Sequence, residues 1–118
     1  MALQATNPTK TKAWSKLQSH FLELKDSHLK ELFKTNPKRA DELTVIWDDF
    51  YVDFSKNRIT KKTLDLLFNL ASECNLQQSI EDQFSGKKIN QTEGRAVLHT
   101  AVRAEKNKKI FVDNKDVV

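Results

Sequence analysis

Across residues 43–54 the chain reads LTVIWDDFYVDF, and there the spacing of its apolar residues changes from about 3.6 to two. That change constrains the fold more than any other feature, because side chains alternate across a strand but recur every three or four residues along a helix. β-Branched and aromatic residues flank Asp48-Asp49 on both sides. Asp tolerates left-handed backbone angles better than most residues, which predicts a two-residue hairpin turn at that pair. The register follows from the turn. Trp47 faces Phe50, Val45 faces Val52 and Leu43 faces Phe54, so these six apolar residues share one face. Thr44, Ile46, Tyr51 and Asp53 fall on the other.

Around the hairpin the spacing is helical. Asn7-Pro8 joins a strong N-cap to the residue favoured at the first helical position, which predicts the start of a helix. Trp14, Leu17, Phe21 and Leu24 form its stripe. Asp26-Ser27 is predicted to end that helix and cap a second, with Leu29, Leu32 and Phe33, and Asn36-Pro37 to start a short helical turn. Thr60 is predicted to cap a helix with a stripe of Leu64, Leu67, Phe68 and Ala71. Leu66 and Leu70 widen that stripe past half the circumference, so the helix expects cover on more than one side. Asn75 ends it, Leu76, Ile80 and Phe84 mark the next, and Gly86 stops that one in a left-handed C′ conformation. AEKNKK reads as a polar loop. IFVDNKDVV reads as a strand with a turn at Asn114-Lys115. The expected class is α+β, mostly helical, with a β-hairpin near 43–54.

A chain of 118 residues is one domain in length and long enough to bury a core without metals or disulfides. Its net charge of +4 comes from 20 basic and 16 acidic residues spread along the chain. The densest basic runs, Lys87-Lys88 and residues 106–109, are not interleaved with aromatics as a base-stacking surface requires, so no nucleic-acid partner is expected. Cys74 is alone, which excludes an internal disulfide and a Cys-based metal site, and its place near Ala71 predicts a buried thiol. His20 and His28 lack metal-ligand spacing and are expected in core or surface roles. Two glycines, Gly86 and Gly94, cannot make a phosphate-cradling loop. No apolar stretch is long enough for a membrane span and none reads as a secretory signal, so the expected setting is the cytoplasm.

The densest chemistry lies in INQTEGRAVLH, residues 89–99. Asn90 with Glu93 three residues later fits a capping box and predicts a helix carrying Val97, Leu98, Ala101 and Val102. On such a helix Thr92, Arg95 and His99 share one face, which Arg103 continues. That face could hold an anion. The structural alternative, which we favour, has Glu93 complete the cap, Arg95 pair with a carboxylate from elsewhere in the fold, and His99 satisfy a buried contact. No carboxylate pair and no nucleophile beside a base is evident, so no catalytic residue, metal ligand or cofactor is assigned.

Three segments together resemble the glucose-6-phosphate isomerase family. FSGKKINQTEGRAVLHTAVR, residues 84–103, is similar to a signature stretch near that family's N-terminus. YVDFSKNRIT resembles its VDYSKN passage, and IFVDNKDVV resembles VDGKDVMPEV, with Asn114 where many relatives have Gly. The order and spacing of all three agree. The resemblance implies that residues 1–118 are the N-terminal fifth or so of a larger α/β enzyme with sugar-isomerase sandwich subdomains. It implies a homodimer that interconverts glucose 6-phosphate and fructose 6-phosphate, in glycolysis and gluconeogenesis, without metal or nucleotide. The family's catalytic glutamate and phosphate-binding Ser/Thr cluster lie downstream of Val118, so the chain alone is not expected to turn over. The apolar Val117-Val118 end and the wide apolar helix agree with a fragment. Residues 89–99 are then a clip supporting the isomerase body. The rival expectation is a self-standing helical protein-interaction module.

Overall fold

The computed structural model describes residues 5–118. The chain forms two compact units, one of Pro8–Leu70 and one of Ala71–Val118 with residues 5–7. Helices and two small antiparallel ribbons alternate along it, which is the expected α+β class.

In the first unit, Asn7-Pro8 does not cap the long helix. Pro8–Lys10 is a 3₁₀ turn, and α1 (Lys12–Leu24) starts behind it with Thr11 as N-cap. The Thr11 hydroxyl oxygen accepts the Trp14 N–H at 3.1 Å. α2 (Leu29–Thr35) is capped by His28, whose Nδ1 accepts the Lys30 N–H, and not by Ser27. Both corrections have one cause. The cap is the residue whose backbone is extended while the next is helical, and Thr11 (ψ 156°) and His28 (ψ 133°) hold that place. The predicted turn at Asn36-Pro37 leads into α3 (Arg39–Glu42), with Asn36 Oδ1 accepting the Lys38 N–H.

The hairpin forms as predicted. β1 (Thr44–Trp47) pairs with β2 (Phe50–Asp53) in the register Val45 with Val52 and Trp47 with Phe50. Phe54 donates its N–H to the Leu43 carbonyl at 3.0 Å. Asp48 takes the left-handed angle the turn needs, φ +50°. The Trp47 and Phe50 rings stack with centroids 5.6 Å apart.

α4 (Lys61–Glu73) follows Thr60, whose N–H is donated to Thr63 Oγ1 at 2.9 Å. None of its side chains is buried, and Leu67 and Phe68 stand exposed, so the cover that its wide stripe expects is not supplied by the described residues. Cys74, expected buried, is half-buried. Asn75 ends α4 at φ +54°.

In the second unit α5 (Leu76–Phe84) ends at Gly86, in the left-handed conformation expected of it, φ +78°. The face of α5 that carries Leu76, Ile80 and Phe84 is exposed, while Asp82 on the helix is buried. α6 is only His99–Val102. β3 (Phe111–Val112) and β4 (Lys115–Asp116) make a second hairpin. Its turn is Asp113-Asn114, one residue earlier than expected, because Val112 pairs with Lys115. Both turn residues have positive φ, +49° and +63°, which is the signature of the tight turn favoured between two twisted strands.

Among the described residues the buried apolar side chains are Ala13, Leu43, Ala101 and Ile110. That is a thin core for a chain long enough to bury a larger one. Large residues stand in solvent instead, among them Phe21, Leu22, Ile80 and Val102.

Candidate functional site

Residues 90–98 are not helical, which corrects the capping-box prediction. Asn90 and Arg95 form an isolated antiparallel bridge, exchanging N–H···O bonds of 3.0 and 3.2 Å. The Asn90 N–H is therefore spent on the Arg95 carbonyl and is not there for Glu93 to cap. Gly94, at φ +63°, turns the chain back between them. One half of the expected box survives, since Asn90 Oδ1 accepts the Glu93 N–H at 3.2 Å.

The other half is redirected. The Glu93 carboxylate accepts Arg95 Nε at 3.0 Å and Arg95 Nη2, so Arg95 pairs with its neighbour and not with a carboxylate from a distant element. Asn90 Nδ2 reaches the same oxygen at 3.4 Å. Thr92 lies exposed in the turn. His99 opens α6 and is exposed, against the buried contact expected of it. Arg103 donates to the His99 carbonyl at 3.2 Å. Of the five residues singled out, the fold joins Asn90, Glu93 and Arg95 in one clip. It brings His99, but not Thr92, to the same open cleft of about 480 Å³, which Lys88 and Asp113 also line.

An anion in that cleft would meet cations already neutralised. Arg95 is held by Glu93, and Lys88 lies 2.9 Å from Asp113. Lys87, which lines a neighbouring cleft of about 670 Å³, lies 2.6 Å from Asp82. Lys87 and then Gln78 hold the Asp82 carboxyl below its ordinary pKa. Among the described residues no group of His, Cys, Asp or Glu could hold a metal ion, and no helix is long and apolar enough to cross a membrane. The Arg95–Glu93 pair is exposed, so Arg95→Ala is expected to cost this chain under about 1 kcal/mol, measured by urea unfolding.

Two polar centres were not found in the sequence. The first lies between α1 and α4. His20 is 4% exposed, with Nδ1 2.9 Å from Glu23 Oε2 and Nε2 2.7 Å from Thr63 Oγ1. Lys62 Nζ adds a 2.7 Å contact to Glu23. A hydroxyl, an imidazole and a carboxylate in line resemble a nucleophilic relay. Here the imidazole is buried and Thr63 Oγ1 also accepts the Thr60 N–H, so the line fastens α1 to α4. The second centre is Arg39, 3% exposed. Its guanidinium donates to the carbonyls of Ser55 (2.9 Å), Asn57 (2.6 Å) and Ile59 (2.8 Å), and lies 5.5 Å from the Phe33 ring centroid.

The first centre and the end of β2 carry a pH dependence. Lys62, then His20, lowers the Glu23 carboxyl from its ordinary value. The Ser55 hydroxyl and N–H lower Asp53. A carboxylate whose folded pKa is depressed stabilises the fold above its unfolded value, roughly pH 4, and that share is lost as pH falls through the folded value. Acid should therefore lower the melting temperature progressively below that point. Glu23→Gln should flatten this acid limb in a pH series of thermal melts, and an unchanged limb would remove Glu23 from the account.

The described residues thus form a mixed helical and antiparallel segment with two buried polar centres. Residues 53–118 match the family described as phosphoglucose isomerase. The chain is 54% identical over 112 residues to a glucose-6-phosphate isomerase of Christiangramia forsetii, covering 95% of this chain and 21% of that protein. It is 50% identical over 110 residues to a glucose-6-phosphate isomerase of Nitrosospira multiformis, covering 93% and 20%. The chain belongs to the phosphoglucose isomerase family. It spans about a fifth of the length of the relatives it matches.

Proposed function

We propose that residues 1–118 are the non-catalytic N-terminal region of a glucose-6-phosphate isomerase, a cytoplasmic homodimer acting in glycolysis and gluconeogenesis without a cofactor. One observation carries this reading: two proteins of that name match nearly all of this chain at half identity or better, with about a fifth of their own length. The reaction moves a proton between two adjacent sugar carbons. It needs a carboxylate beside the carbon acid and a cation near the developing oxyanion. Neither is assigned to this chain, and the reading puts both in downstream sugar-isomerase sandwich subdomains.

The role left to this chain is support. The Asn90–Arg95 bridge, with Glu93 across it, fixes a tight turn. Arg39 and His20 hold the 55–59 loop and the α1–α4 contact. Thr92 and His99 are read as parts of the same supporting surface. The test is expression of the reading frame beyond residue 118. The longer polypeptide should convert fructose 6-phosphate to glucose 6-phosphate in a coupled assay with chelator present, and a soluble longer polypeptide without turnover would refute the reading. A stop codon at that point would favour the self-standing interaction module.

A further inference from the structure

The β1–β2 ribbon carries six exposed apolar side chains. Val45, Trp47, Phe50 and Val52 share one face at 51–70% exposure, and Ile46 and Tyr51 stand on the other at 69% and 68%. A ribbon with one wet face alternates apolar with polar residues, whereas strands covered on both faces read as nearly continuous apolar runs. TVIW and FYVD follow the second pattern. The ribbon's register is already set by its own pairing and by the Trp47–Phe50 stack.

We infer that this ribbon is a docking arm, and that its occupant is the remaining polypeptide of the longer isomerase, packed against both faces. The inference rests on the function proposed above. Length supports that occupant, since the relatives are about five times as long as the segment they share with this chain. Area supports it over a free second copy. The four residues of the larger face offer on the order of 500 Å², short of the roughly 800 Å² per partner of a standard stable interface. A covalently joined partner at high effective concentration needs less area to stay bound. Charge argues against anionic partners, because Asp48 and Asp49 stand at the tip and Asp53 closes β2.

The test is a chimaera in which this chain replaces the matching 112 residues of the Christiangramia forsetii isomerase. Hydroxyl-radical footprinting then reads Trp47 and Tyr51, one on each face, with no substitution needed. Both should oxidise readily in the free 118-residue chain and at least tenfold more slowly in an active chimaera. A folded chimaera without isomerase activity would overturn the functional proposal and this inference with it. An active chimaera in which Trp47 or Tyr51 oxidises at the free rate would overturn the arm alone. Protection already present in the free chain and lost on dilution would make a second copy the occupant, which also overturns the arm as stated.

Discussion

Arg39→Ala is expected to lower the unfolding free energy by about 3 kcal/mol. The guanidinium is buried and makes three charge-assisted bonds to backbone carbonyls. Those carbonyls differ in what they lose. Ser55 is 2% exposed, so its oxygen is left without a partner, whereas Asn57 is exposed and can turn to water. The charged bond to Ser55 and the packing against Phe33 therefore carry most of the cost. Arg39→Lys keeps the charge but replaces a planar fork by a single ammonium that cannot span three acceptors, so it should recover only part of the loss. Urea unfolding measures the free energies, and amide exchange supplies the local signature, with faster exchange over residues 55–59. An Arg39→Ala protein within about 0.5 kcal/mol of the parent would show that the loop holds itself.

The hairpin is legible because two independent signals agree on it, the β-branched and aromatic residues of TVIW and FYVD and the turn residues between them. Register followed because a slip by one residue would have exchanged the two faces. The 89–99 segment was misread for a reason that is also physical. An Asn oxygen that accepts the N–H three residues on is common to a helix N-cap and to a tight turn, and Asn90 makes that bond here in a turn. Gly94 decides between them, being the residue in the segment that takes a positive φ without strain. The polar centres were illegible for another reason. His20 meets Thr63 across 43 positions, and Arg39 meets its carbonyls across 16 to 20, and no local period marks such pairs. The apolar stripe of α5 was read correctly as a stripe, but periodicity does not say what covers it.

Gly86→Ala is expected to destabilise the second unit well beyond Gly94→Ala, which serves as its control. Both hold positive φ, Gly86 at +78° and Gly94 at +63°, so a side chain at either pays the left-handed penalty of about 1–2 kcal/mol. Their surroundings differ. A Cβ on Gly86 would lie 2.9 Å from the Phe111 carbonyl oxygen and 3.0 Å from Ile110 Cγ2, whereas one on Gly94 meets nothing within 4 Å. The Phe111 oxygen is backbone in β3, and Ile110 is one of the few buried apolar residues, so neither can give way cheaply. Gly86→Ala should therefore cost about 1–2 kcal/mol more than Gly94→Ala, as overpacking does in a close-fitted site. It should also loosen the second hairpin, seen as faster exchange of the Val117 N–H that bonds the Ile110 carbonyl at 2.9 Å. Equal losses for the two glycines would mean that backbone strain alone sets the cost. The contact between the end of α5 and β3 would then contribute nothing to holding this unit together.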